Sequence, residues 1–296
     1  MNCSSIKLVI VTSTLLWTGA CLPELPELDD PCGNWTDPGP YHWDLHVNGK
    51  KRHVRVYVPE GEGPRDMIVG LHGARHNNKD FVNTTKLEVF AENRGIVAAT
   101  PNGTGWIRTW NGGDCCGNSS DIDLSDMFFL EQSVAHLSRR LCIDRVLVTG
   151  ISNGAMMAHK WACQGSNLDA VVPVSGTLED DECEGDPVPI RMYHGTADPV
   201  VPYDGGQGNS VDHSFSGVDH TLGVWLERNL CSNSEPEVTV SGSVTCEEFD
   251  CAASTVLCTV EGGGHGWPGE SGDPGTENVN AGLDSWDWFN GLPIWE

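Results

Sequence analysis

Val54, Val56 and Val58 place an apolar side chain at every second position. That period is the one a half-buried strand needs. Asn48-Gly49, just upstream, is a tight-turn signal, so YHWDLHVNGKKRHVRVYVP is predicted to form a β-hairpin. A different pattern follows. RDMIVGLHG, IVAATPNG, RVLVTG, LDAVVPVSG, PVPIRMYHGTAD and STVLCTVEGGGH are short, nearly unbroken apolar runs ending in turn residues. Such runs suit strands buried on both faces. Helical periods separate them: KDFVNTTKLEVFAENRG, stopped by Gly95, then LSDMFFLEQSVAHLSRRLC, AMMAHKWACQ, HTLGVWLERNL and the closing GLDSWDWFNGL. Strands alternating with helices predict an α/β fold, a mostly parallel central sheet with helices on both faces. Ligands of such sheets collect at the carboxyl ends of the strands. His72 and Gly73, Ser152, Asp198 and His265 all fall there.

The 296 residues accommodate one large domain, read as residues 41–296, behind two short N-terminal segments. Residues 1–20 read as an export signal. Lys7 gives a weak positive start, LVIVTSTLLW a short apolar run, and Thr18 and Ala20 small residues at the cleavage positions. Residues 21–40, including PELPELDDPCG, read as a tether. Cys21 directly after Ala20 opens a second reading, a lipid anchor at the cell surface. The usual lipoprotein signal has leucine where Thr18 stands, which favours the fully secreted form. No transmembrane helix is expected, because the apolar run is too short.

Cysteine usage agrees with export. Twelve cysteines are present, and the ten after Cys21 read as disulfides of an oxidising compartment. No C-x-x-C and no paired histidine spacing accompanies them, so neither a metal nor any other cofactor is expected. Cys115 and Cys116 are expected to bond to different partners, because a bridge between neighbours is strained. The net charge of −25 argues against nucleic acid or an anionic membrane surface as partner.

Chemistry enters with VTGISNGAMM. Gly150-Ile151-Ser152-Asn153-Gly154 puts a serine between two glycines at a strand-to-helix turn. On such a bend the hydroxyl stands clear of the sheet, and the glycines remove side chains that would clash. The bland alternative is a packing turn. A serine hydroxyl attacks only when a base takes its proton, and that base is usually a histidine oriented by a carboxylate. In this architecture the chain order is Ser, acid, His. HGTADPVVPY supplies Asp198 and EGGGHGWPG supplies His265, in that order and at strand ends. Of the other histidines, His194 reads as support for the Asp198 loop and His72 as scaffold for an oxyanion loop. His136 and His159 fall on helices, and His213 and His220 are weaker candidates. A tetrahedral oxyanion needs two fixed N–H donors. The expected donors are the backbone N–H of Asn153, at a helix start, and that of Ala74, with Arg75 as the alternative.

LHGARHNNKDF, WNGGDCCG, RVLVTGISNGAMMAHKWAC, PVPIRMYHGTADPVVPYDGG and GGGHGWPG together resemble the secreted esterase family of polyhydroxybutyrate depolymerases, feruloyl esterases and acetylxylan esterases. The resemblance spans roughly residues 50 to 290 in the family's order. It implies an α/β-hydrolase fold, with Ser152 as nucleophile, Asp198 as acid and His265 as base. Ala155 stands where the family has a second glycine, Ser125-Asp126 where it often has paired aspartates, and Gly266 where threonine often follows the histidine. The cysteine-rich insert from Cys246 to Cys258 exceeds the family pattern; the resemblance suggests Cys231 with Cys251, leaving Cys246 near Cys258.

The implied reaction is two-step acyl transfer on a carboxylic ester. The implied substrates are feruloyl or acetyl groups on xylan, or a polyester such as polyhydroxybutyrate. Trp106, Trp110 and Trp267 are the expected substrate contacts, with core packing as the competing role of each. A monomer is expected. A secreted serine peptidase and a non-catalytic binding protein on the same fold are the alternative readings. Asn34, Asn83, Asn102 and Asn118 begin N-x-S/T sequons, which matter only in a glycosylating host.

Overall fold

A computed structural model describes residues 37–116, 126–165, 168–180, 183–269 and 280–293. The expected signal, Cys21, most of the tether and the sequons at Asn34 and Asn118 lie outside them. The hairpin forms as expected. β1 (Gly39–Val47) pairs antiparallel with β2 (Lys50–Val58), and Asn48 and Gly49 turn with φ of 49° and 74°. The apolar runs become β3 (Arg65–Leu71), β4 (Val97–Pro101), β5 (Ile143–Ile151), β6 (Ala170–Val174) and β7 (Ile190–Gly195). A short pair, β8 (Gly206–Gln207) and β9 (Ser214–Phe215), stands apart. β10 (Glu237–Ser241), β11 (Val244–Phe249) and β12 (Thr255–Val260) complete the set.

These strands make one ten-stranded sheet in the order β1-β2-β4-β3-β5-β6-β7-β12-β11-β10. Its centre, from β4 through β12, is parallel, and both ends are antiparallel. Helices cover both faces. α3 (Asp126–Leu141), α4 (Asn153–Gln164) and α5 (Val218–Arg228) bury Phe129, Trp161 and Trp225 against one face. α1 (Asn78–Thr85), α2 (Leu87–Arg94) and α6 (Ala281–Gly291) bury Phe81, Ala91 and Trp286 against the other. Alternation within β3 serves both cores: Met67, Val69 and Leu71 face one, Ile68 the other. Among the described residues no helix is long and apolar enough to cross a membrane.

Three expectations need correction. The helix predicted across KDFVNTTKLEVFAENRG is two helices. Lys86 is left-handed at φ 55°, and Thr85 turns its hydroxyl back to donate to the carbonyl of Phe81. The stretch EVTVSGSVTCEEF, not read as strand, forms the β10–β11 hairpin that extends the sheet. Cys115 and Cys116 do not find separate partners; their sulfurs are joined to each other. The chain turns sharply there, with Cys116 at φ 137°, and Met156, Val201 and Phe215 close around Cys115. Cys163 pairs with Cys183, Cys231 with Cys251 and Cys246 with Cys258, the last two as the resemblance implied. Cys142 is also disulfide-bonded, to a partner outside the described residues.

Candidate active site

β5 delivers Ser152 and α4 begins immediately after it. Ser152 takes φ 57° and ψ −125°, a conformation costing a non-glycine residue about 1–3 kcal/mol. The turn is held from both sides: the Ser152 N–H donates to Val174 at 2.9 Å, and its carbonyl accepts from Ala155 and Met156. The flanking glycines are steric necessities. A Cβ on Gly150 would lie 2.4 Å from the Gly154 carbonyl oxygen, and one on Gly154 would lie 2.2 Å from that of Leu71.

Asp198 and His265 follow β7 and β12, which are neighbours in the sheet. Their loops are stitched together. Thr196 N–H donates to Val260, Ala197 N–H to Gly263, and Gly262 N–H to the Thr196 hydroxyl. His265 Nδ1–H donates to Asp198 Oδ2 at 2.7 Å, which leaves Nε2 as the acceptor. Asp198 Oδ1 accepts the N–H groups of Val200 and Val201 at 2.8 and 2.9 Å. His194 Nε2 donates to the Val201 carbonyl at 2.8 Å and lies 3.5 Å from Asp198 Oδ2. Burial alone would push the Asp198 carboxyl up. Hydrogen bonds from His194, His265 and Val201 outweigh it and hold the group well below the usual carboxylate range. Asp198 is therefore a fixed anion facing His265.

β6 lies between β5 and β7, and its loop links the serine turn to the histidine loop. Ser175 Oγ donates to the carbonyl of Gly266 at 2.9 Å, next to His265. Ile151, His265, Gly73 and Trp267 line a common cleft of about 410 Å³ beside Ser152. No hydrogen bond joins the Ser152 hydroxyl to His265 in this conformation; Ser152 adjoins two of the cleft's lining residues, following Ile151 in the chain and lying with its Cβ 3.3 Å from where a Cβ on Gly73 would stand. Phe81 and Trp267 meet edge-to-face at 5.7 Å and form the wall between this cleft and a cavity of about 470 Å³ behind it.

The loop after β3 lies against the serine turn: a Cβ on Gly73 would come within 3.3 Å of Ser152 Cβ. Arg75 N–H is already bound to the Arg108 carbonyl at 2.8 Å, and His76 N–H to Gly73 at 3.2 Å. Of the two donors considered there, Ala74 N–H is the one without an acceptor among the described residues. Asn153 is the first residue of α4, where a backbone N–H has no intrahelical partner. His72 sits beneath the loop as expected of a scaffold. Its Nδ1–H donates to the Gly73 carbonyl at 2.8 Å, and its Nε2 accepts from Gly103 N–H at 2.9 Å. Burial pushes its pKa down to about 4, so it is neutral at physiological pH.

Trp110 corrects an expectation. It is fully buried and cannot touch substrate. Its indole N–H instead holds the His72 carbonyl at 2.9 Å. Its backbone exchanges two hydrogen bonds with the Asn153 side chain, 2.7 Å to Oδ1 and 3.1 Å from Nδ2. The next residue, Asn111, donates its N–H to Asp126 Oδ2 at 2.8 Å. Asp126 in turn pairs with the interior Arg52 at 2.7 Å, whose guanidinium lies over the Phe129 ring at 4.1 Å. Burial pushes the Asp126 carboxyl up and the Arg52 guanidinium down, and their contact opposes both shifts. Neither residue announced this role in the sequence; the one signal was Asp126 at the family's paired-aspartate position. Trp267, nearly buried, lines the cleft, and Trp106 is fully exposed on the loop after β4, outside the cleft's lining. His213 is bound to the Glu179 carboxylate at 2.8 Å, and Trp225 donates to the interior His159 at 3.0 Å. Among the described residues no group of three His, Cys, Asp or Glu side chains is arranged to hold a metal ion.

No family model matches the chain. Feruloyl esterase C of Emericella nidulans is 27% identical over 278 residues, covering 88% of this chain and 92% of that protein. Feruloyl esterase B of Piromyces equi is 27% identical over 236 residues, and there this chain spans only 42% of the relative. Among solved structures, an acetyl xylan esterase from Aspergillus awamori superposes with a TM-score of 0.61 at 15% identity, covering 84% of this chain and 98% of that one. A poly(3-hydroxybutyrate) depolymerase from Bordetella parapertussis superposes at 0.54, with 14% identity, over 88% of this chain and 92% of its own. The fold is that of an α/β-hydrolase, and the relatives that the chain matches by sequence are ester hydrolases. Its relatives are the feruloyl and acetylxylan esterases, the group its motifs resemble.

Proposed function

We propose that the chain is a secreted serine esterase that acts through Ser152, His265 and Asp198 on acyl esters of plant cell-wall polysaccharide. The observation that carries the reading is the 2.7 Å bond from His265 Nδ1 to the doubly anchored Asp198, with Ser152 in a strained turn next to two residues of the same cleft. That bond fixes the tautomer in which Nε2 can accept a proton. Closure of the Ser152 hydroxyl onto Nε2, with substrate bound, completes the nucleophile; such bonds are often long before substrate arrives.

In the first step Ser152 Oγ attacks the ester carbonyl and His265 takes its proton. The oxyanion is received by the N–H groups of Asn153 and Ala74. His265 then protonates the departing alcohol as the carbon–oxygen bond breaks, leaving an acyl-serine. Water, deprotonated by His265, attacks the acyl carbon; collapse of that second intermediate frees the acid and returns the proton to Ser152. The Phe81–Trp267 wall gives an aromatic acyl group a face to pack on. That wall, together with the feruloyl esterase relatives, favours cell-wall esters over polyhydroxybutyrate. Secretion is supported by the disulfides and the signal-like N-terminus.

Methyl ferulate, acetylated xylan and polyhydroxybutyrate, offered to purified protein and to Ser152→Ala, test the reading. Hydrolysis of a cell-wall ester that vanishes in the variant supports it. Turnover of the polyester alone, or activity surviving in the variant, would refute it.

A further inference from the structure

Thr104 and Thr109 close a small hairpin by exchanging backbone hydrogen bonds at 3.0 and 2.9 Å. Trp106 and Ile107 stand at its tip, and Trp106 has no part of its surface covered. The hairpin is fixed to the site. Arg108, on its returning limb, accepts through its carbonyl from the N–H of Arg75, the residue after Ala74. An indole left wholly in water contributes nothing to the core, and the hairpin that carries it is bonded to the loop that follows β3.

Two arginines without a carboxylate partner among the described residues meet here through their backbones. The chain carries 42 acidic against 17 basic residues. Arg52, Arg55, Arg94 and Arg145 each face a carboxylate. Arg75 and Arg108 face none among the described residues, although both are exposed. Arg108 and His76 both lie close enough to His72 for their charge to oppose its protonation. Asp80 is the carboxylate on the same side, and it is committed to the start of α1, accepting from Asn77 N–H and Nδ2 at 3.0 and 2.6 Å.

We propose that Arg75, Arg108 and the Trp106 ring form a subsite for a uronic acid residue, a sugar ring bearing a free carboxylate, on the glycan part of the ester substrate. The guanidinium groups match a carboxylate in shape and charge. The indole face takes the apolar face of the ring that bears it. An extended polyanion is repelled by a molecule of charge −25, so the two local cations suit isolated carboxylates on an otherwise neutral chain. The subsite extends the esterase reading, and it is tested by binding so that the two can fail separately.

Calorimetric titration of the full-length Ser152→Ala protein with a xylo-oligosaccharide bearing one glucuronic acid, and with the same oligosaccharide after reduction of the carboxyl group, reads the preference directly. The charged ligand is expected to bind about tenfold tighter or more. The advantage should shrink with added salt and disappear in Ser152→Ala/Arg108→Gln, while Ser152→Ala/Trp106→Ala should weaken both ligands. Equal affinities for the two oligosaccharides would overturn the subsite. So would acetate or ferulate competing at the arginines while the charged oligosaccharide does not, which would mark a site for the product acid. Hydrolysis of p-nitrophenyl acetate by the wild type reports separately on the esterase.

Discussion

Asn153 and Trp110, 43 residues apart, hold each other by two hydrogen bonds: the Trp110 N–H donates to Asn153 Oδ1 at 2.7 Å, and Asn153 Nδ2 donates to the Trp110 carbonyl at 3.1 Å. The residue whose backbone N–H begins α4 beside Ser152 is thereby locked to the loop whose indole grips the end of β3 at the His72 carbonyl. Asn153→Ala keeps that backbone N–H and removes the lock. Displacements of this kind lower turnover by about 10²-fold. Steady-state kinetics on p-nitrophenyl acetate should show kcat falling with KM little changed.

The buried pair behind that loop makes a two-part prediction. Asp126→Ala leaves Arg52 buried without a counter-charge and should destabilise the fold by about 3–5 kcal/mol in urea titration. Arg52→Met/Asp126→Leu removes both charges and should recover most of that loss. It should not recover kcat, because Asn111 N–H still lacks the oxygen it binds at 2.8 Å.

Acid sensitivity follows from His72. Its folded pKa is about 4, below the ordinary 6.5, so the unfolded chain takes up the proton first as pH falls. The stability it contributes is complete above the unfolded value, declines below about pH 6.5, and is gone once pH passes the folded value. The interior His159, lowered to about 3, acts in the same sense. Urea midpoints measured from pH 7 to pH 4 should decline, and His72→Gln should flatten the slope by one proton, about 1.4 kcal/mol per pH unit.

Asp198→Asn separates orientation from folding. The amide can still accept from Val200 and Val201, so the loop should persist. His265 loses the carboxylate that selects its tautomer, and kcat should drop by about 10⁴-fold with near-native circular dichroism. A loss smaller than tenfold would remove Asp198 from the catalytic role.

Much of this architecture was legible in the sequence, because strong periods and turn residues agree with it. Asn48-Gly49, the unbroken apolar runs and Gly95 fixed the hairpin, the parallel centre and the end of α2. Ser152, Asp198 and His265 could be placed at strand ends because each follows an apolar run. What escaped depends on contacts remote in the chain. Lys86 turns left-handed without glycine to signal it. β10 is exposed along its whole length, so no apolar face marked it, although Val238 and Val240 alternate. The Arg52–Asp126 pair joins residues 74 positions apart, and charged residues read as surface until their burial is seen. Trp110 carried the same apolar signal as a substrate platform and proved to be a buried clamp.

Labelling with a fluorophosphonate, followed by peptide mass mapping, tests the nucleophile most directly. One adduct per chain on Ser152, absent in Ser152→Ala and strongly slowed in His265→Ala, is the expected result. An adduct on any other side chain, or unimpaired ester hydrolysis by Ser152→Ala, would contradict it.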